Sequence, residues 1–177
     1  YSKDSATQGI LEIQRRWYMN MLWGRLAYNP ATPDAVFKNY LARKYPEVPA
    51  EKLFAAWSKA SRGLPKATEL VHGEMKLDFQ WWPEACQSHK GFVTAAQFAD
   101  ATPGKGSALC SIADSATKKC NGSKSSYALA DEIEADAKVA LSTVSTMSAT
   151  PHTELGVAIN NIKSMSYLTI YYAYKIR

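Results

Sequence analysis

Three histidines, three cysteines and the acidic run "DEIEAD" (Asp131 to Asp136) are the side chains of this 177-residue sequence that could hold a metal or move a proton. A metal site needs ligands a few residues apart on one element. His72, His89 and His152 are widely separated, and no Cys or His pair stands at ligand spacing, so neither a metal nor a cofactor is expected. Acid–base hydrolysis needs two carboxyl groups in contrasting environments. Asp131 and Glu134 instead fall on the polar side of an amphipathic helix, where solvated charge is expected. "GKGS" (Gly104 to Ser107) lacks the upstream glycine and the preceding strand of a phosphate-binding loop, and there is no Gly-x-Ser-x-Gly elbow. No catalytic residue is assigned.

Two groups carry binding or covalent chemistry. Trp81 and Trp82, in "FQWWPEAC", stand in an aperiodic stretch beside a proline; exposed, they would stack on the CH-rich faces of sugar rings, and buried, they would plug the core beneath a long loop. Cys110 and Cys120 are close enough along the chain for a loop disulfide, with Cys86 apart. A bridge there would mean an oxidising compartment, which for a bacterial protein is the periplasm or the exterior. Asn121-Gly122-Ser123 fits the N-glycosylation acceptor pattern, which is informative only in a eukaryotic secreted chain.

Length and composition suit one globular domain: 46% of residues are hydrophobic, with five Trp and ten Tyr. No run approaches the roughly 18 apolar residues of a membrane span. The net charge of +5 is scattered, with only Arg15-Arg16 and Lys118-Lys119 adjacent, so no nucleic-acid surface is expected. The chain opens on Tyr1 without a leader pattern, which points to a removed signal peptide or to a piece of a longer protein.

Helical spacing recurs and strand alternation is scarce, which predicts an all-α, multi-helix bundle with a long irregular middle segment. A first helix is expected from about Gly9 to Tyr28, stopping before Asn29-Pro30. Thr32-Pro33-Asp34 should cap a second. A third begins near Pro49, with Gly63 and Pro65 breaking or kinking it. The pattern decays from Gly73 to Lys124, apart from a capping box at Thr94 to Gln97. Two long helices follow. One runs from about Tyr127 to Met147 on a stripe of Leu129, Ile133, Ala137, Ala140, Val144 and Met147. The last starts at Thr150-Pro151 on Leu155, Ala158, Ile159, Ile162, Met165, Tyr172 and Ile176, with Tyr167, Tyr171 and Tyr174 together on its other side.

The first helix is apolar on two sides. At 100° per residue, Ile10, Ile13, Trp17, Met21, Gly24 and Tyr28 share one face, and Met19, Leu22, Trp23 and Leu26 the opposite one. Either the helix is central to a bundle, or the second face meets a missing domain or a second subunit.

The stretch "WYMNMLWGRLAYNPATPDAVFKNYLARKYP" resembles a segment of bacterial xylan-type α-glucuronidases and their relatives in polysaccharide-degrading loci, where a catalytic (β/α)8 barrel passes into a C-terminal helical domain. The likeness rests on Trp17-Tyr18 and Gly24-Arg25-Leu26-Ala27-Tyr28-Asn29-Pro30, with Tyr28 where those enzymes more often have Trp. Beyond about Pro46 it is general, including the closing "SMSYLTIYYAYKIR". The resemblance implies a single helical domain over 1–177, a barrel before residue 1 covering the second face of the first helix, and catalytic carboxylates lying outside this chain. It further implies an exported glycoside hydrolase acting on polysaccharide. The alternatives are a stand-alone interaction or dimerisation module and a helical carbohydrate-binding module.

Overall fold

The computed structural model describes residues 11–71, 95–121 and 123–177. Over them the fold is all-α: helices α1 (Glu12–Arg15), α2 (Trp17–Tyr28), α3 (Asp34–Lys44), α4 (Ala50–Val71), α5 (Ala95–Asp100), α6 (Ile112–Ala116), α7 (Ser126–Ser145) and α8 (Glu154–Ile176). No helix among the described residues is long and apolar enough to cross a membrane.

Helix boundaries follow local chemistry. The expected first helix is divided at Arg16, whose backbone (φ −101°, ψ 10°) leaves the α region between α1 and α2. Asn29, forced into extended geometry by Pro30, ends α2. Its side-chain oxygen accepts the Ala31 N–H at 3.0 Å, and the Thr32 hydroxyl donates to its carbonyl at 2.6 Å. Thr32 is thereby drawn into the turn, and Pro33 rather than Thr32 occupies the cap position of α3.

Pro65 does not break α4, which continues to Val71. A proline removes one donor from the ladder, yet the helix runs on for six residues beyond it. A Cβ on Gly63 would collide with the Cγ2 and Oγ1 atoms of Thr169. The glycine therefore marks a close approach of α4 and α8, not a helix end.

The chain divides into two compact units, one of Tyr1–Ala60 with Val139–Met165, the other of Ser61–Lys138 with Ser166–Arg177. The first has an aromatic and aliphatic core of Tyr18, Phe37, Leu41, Tyr45, Leu53, Val144, Leu155 and Ile162. Trp17 donates its indole N–H to the Tyr45 hydroxyl at 2.9 Å, and the rings of Tyr18 and Trp57 lie 4.5 Å apart. Burial, helped by nearby Asp34, raises the Tyr18 phenol to about 12, so it stays protonated.

The second unit is built on Leu70, Phe98, Ile112, Leu129, Ile133, Tyr172 and Ile176. A disulfide joins Cys110 to Cys120, ten residues apart. It closes the loop carrying α6, where the Ser111 hydroxyl accepts the Asp114 N–H at 3.0 Å. Buried Ser115 then accepts the Ser126 N–H at 2.9 Å, capping the start of α7 from a neighbouring element.

The buried stripe of α8 differs from expectation at one turn. Met165 is exposed, while Ser166 and Thr169 are buried. A straight helix drifts about 20° per heptad from a 3.5-residue repeat, so over 23 residues the inward side passes from Ile162 to small polar residues where α4 comes close.

Candidate functional site

The described residues hold two surfaces with unused chemistry, one on each unit. On α2, Trp17, Met21, Leu22 and Leu26 are partly buried against the core, and Tyr18 is fully within it. The outward side consists of Met19, Asn20, Trp23, Gly24 and Ala27, all exposed and uncharged, with exposed Arg16 one turn before Asn20 at its start. Trp23 is 70% and Met19 45% exposed, and Leu11 and Ile13 ahead of the helix are exposed too. A Cβ on Gly24 would meet nothing within 4 Å.

The expected second face of this helix is therefore divided. Met19 and Trp23 point outward, whereas Leu22 and Leu26 belong to the core side. The inward direction passes through Tyr18, which the periodicity had placed on neither face, and this rotates the core side toward Leu22 and Leu26. Tyr28, grouped with the inward set, is 91% exposed at the helix end. Arg25 leaves the helix to hydrogen-bond the Tyr40 hydroxyl, its guanidinium 5.5 Å from that ring's centre.

On α8, Tyr167, Tyr171 and Tyr174 form an exposed ridge. Beside it, Arg177 binds Asp131 and Glu134, each at 2.6 Å, and Lys138 binds Glu134 at 2.5 Å. Glu134 is not the solvated charge expected from its helical position: it is buried, with Lys138 and then Arg177 holding its carboxyl below the usual range. Its neighbour Glu132 bonds both Lys124 and Lys66, which lower it to about 2. A general acid for glycoside cleavage needs a raised carboxyl pKa. Among the described residues the two displaced carboxyl groups both move the other way and serve as ionic ties. Nor is any group of three His, Cys, Asp or Glu among them placed to hold a metal ion.

Trp81 and Trp82 lie outside the described residues, as do His72, His89 and Cys86. The Lys66–Glu132–Lys124 tie escaped sequence reasoning because its members are 66 and 8 residues apart, with no local pattern to announce it. The open space around Gly24 was equally hidden, since a helical glycine reads alike whether its partner is inside or outside the chain. Compared with known proteins, the chain matches no family model, no curated protein and no solved structure.

Proposed function

We propose that this chain is a non-catalytic helical docking domain of an exported bacterial glycoside hydrolase, resembling the α-glucuronidases that act on polysaccharide, and that the outward face of α2 packs against the catalytic barrel. The observation that carries this is an exposed helix face centred on Trp23, charged only at its Arg16 end, with a glycine beside it. A tryptophan is an interface anchor when covered and an association hazard when bare. A mid-helix glycine costs about 1 kcal/mol relative to alanine, and Gly24 returns that cost only if another backbone approaches it.

The size of the face favours a tethered partner over a separate one. A 12-residue helix is about 18 Å long and about 10 Å across. One face then supplies a few hundred Å², short of the roughly 800 Å² that each partner gives to a stable complex of independent chains. A domain on the same polypeptide needs less, because the tether supplies a high effective concentration. The Cys110–Cys120 disulfide supports an oxidising compartment. The resemblance over Trp17 to Pro46 is what supports a glycoside hydrolase as the enclosing enzyme, with its catalytic acids elsewhere.

Hydrogen exchange on the product of the complete reading frame, set against the 177-residue chain, tests this. The amides of α2 should exchange more slowly in the longer product, and Trp23→Ser should abolish the difference. Equal exchange in both would overturn docking. A frame without a barrel-sized run of alternating strands and helices before Tyr1 would overturn the hydrolase assignment. Slower exchange that appears only as the isolated chain is concentrated would point to a homodimer.

A further inference from the structure

The loop that carries α6 is held closed against its own local preferences. A helix of five residues is far too short to persist alone, because nucleation costs more than its few bonds return. The Cys110–Cys120 bridge spans its two ends: Cys110 immediately precedes the Ser111 cap, and Cys120 stands just beyond the last turn. That turn is closed by the Lys118 N–H on the Ser115 carbonyl at 3.2 Å and the Lys119 N–H on the Asp114 carbonyl at 2.8 Å. The pairing puts Lys118 in the left-handed region, at φ 58°, where glycine is usual because a Cβ is crowded. Asn121, at φ 27°, lies on the other side of Cys120. Among the described residues these are the non-glycine positions with positive φ, so backbone strain is gathered around one sulfur, as it is at switch segments. Ser126, at the start of α7, adds a buried hydroxyl without a hydrogen-bond partner among the described residues.

The same loop fastens α7. Buried Ser115 accepts the Ser126 N–H at 2.9 Å, and its own hydroxyl proton goes to Cys120 Sγ at 3.5 Å, since a disulfide sulfur has no hydrogen to give. The Cys110 N–H binds the Lys124 carbonyl at 2.8 Å, and the Lys124 ammonium bonds Glu132 on α7. The core behind, with Leu70, Leu129, Ile133, Tyr172 and Ile176 from α4, α7 and α8, includes neither sulfur. Opening the bridge therefore releases the loop and the first turn of α7 without dismantling those helices. The two sulfurs also differ in access: Cys110 is buried, whereas Cys120 is partly exposed, and exchange begins at the sulfur a thiolate can reach.

We propose that the Cys110–Cys120 bridge is a redox latch on the start of α7, opened at Cys120 by a dithiol reductant. One thiolate of the reductant attacks Cys120 Sγ, and the bonding electrons leave with Cys110 Sγ, which takes up a proton. The second thiol of the reductant then attacks the sulfur that the first has bonded to Cys120, and Cys120 departs as a thiolate. The Ser115 hydroxyl, already aimed at that sulfur, stabilises the thiolate until it is protonated. The chain gains two electrons and two protons, and the reductant ends as its own disulfide. The latch goes beyond the docking of α2 and does not rest on it.

Amide exchange of the 177-residue chain, followed through a series of reduced-to-oxidised dithiothreitol ratios with thiol trapping at each step, tests this. Reduction should raise local opening at the Lys124 and Ser126 amides about a hundredfold, the constraint lost with a loop of this length. The amides of α7 beyond Ile133 should keep their protection. With glutathione, a monothiol, the mixed disulfide mapped by peptide mass spectrometry should be on Cys120 and not on Cys110. Lys118→Gly relieves the left-handed strain of the closed loop and should make the bridge about threefold harder to reduce. Because that variant favours the closed loop, a failure to fold cannot imitate the result. Unfolding of the whole chain on reduction, protection unchanged by reduction, a mixed disulfide on Cys110, or a reduction equilibrium unaltered in Lys118→Gly would each overturn the proposal.

Discussion

Gly63 and Gly24 both sit inside a long helix, one in each compact unit, and their surroundings are opposite. At Gly63 the space of a missing Cβ is filled by the Thr169 side chain of α8; at Gly24 it is open. Each loses roughly the same backbone entropy on folding, so each needs a return. Gly63 has its return within the chain, as helix-to-helix contact. Gly24 has none among the described residues, and it lies beside the most exposed tryptophan described, on a face charged only at its Arg16 end. A glycine whose approaching partner is visible explains a fold, and one without such a partner among the described residues leaves a face open to another backbone.

The sharpest way to break this comparison is to fill both spaces. Gly63→Val should cost about 3 kcal/mol or more in chemical denaturation, at the upper end of the range for overpacking a core. Adding Thr169→Ala should recover more than half of that loss, because the clash is with that side chain and because the Thr169 hydroxyl is buried without a hydrogen-bond partner among the described residues. A well-tolerated Gly63→Val would mean that α4 and α8 are not held at this distance, and Gly63 would lose its place in the comparison.

A second test separates the two sides of α2. Leu22 and Leu26 are packed against the core of their unit, so changing both to Gln should cost roughly 2–3 kcal/mol, below the full range for two buried leucines. Met19→Gln with Trp23→Gln should stay within about 0.5 kcal/mol of the parent, as surface changes do. Reversed magnitudes would show that the outward side is the packed one.

These residues also show how far the sequence could be read. The all-α class, the ends set by Pro30 and Pro46 and the stripes of α7 and α8 follow from backbone sterics and from 3.6-residue periodicity, which are local. The division of α2 was misread because large apolar residues occur on both sides, five on one and four on the other, and only the position of Tyr18 in the core decides which side wins. Gly63 misled for a related reason: it reads locally as a helix breaker, but the side chain it makes room for, Thr169, is more than a hundred positions away. Of the candidate surfaces, the tyrosine ridge was legible as a stripe. Its charged border was not, since Asp131 and Glu134 read as ordinary solvated acids until Arg177 is brought beside them.

A smaller effect sharpens the contrast between the two units. Lys124 and Lys66 bond the ionised form of Glu132 and hold its carboxyl at about 2 in the folded chain, well below the usual carboxylate range. A carboxyl lowered on folding stabilises above its unfolded pKa, and the gain is lost as pH falls through that value toward 2. Glu132→Gln should therefore flatten the decline in stability between pH 5 and about pH 2.5. The change should be about 1 kcal/mol or less, since the side chain is 39% exposed and solvent screens the pair. Local exchange should place the effect at the start of α7 and in α4 beyond Ala60, leaving the aromatic core around Tyr18 and Trp57 unmoved. An equal loss of protection in both units would show that the tie is not local.

The smallest expected effect decides most about Gly24. A methyl group at this position meets nothing within 4 Å, and helical backbone suits alanine, so Gly24→Ala should stabilise the isolated 177-residue chain by about 0.5–1 kcal/mol through the unfolded state alone. The same methyl group would stand between α2 and anything seated closely on its outward face. In the product of the complete reading frame the gain should therefore vanish or reverse, and the exchange protection of α2 should fall toward that of the isolated chain. The sign of one substitution in two lengths of the same protein thus reports whether a backbone lies against Gly24. If Gly24→Ala stabilises both equally, the open space is only solvent, and Trp23 is a bare surface residue without a partner.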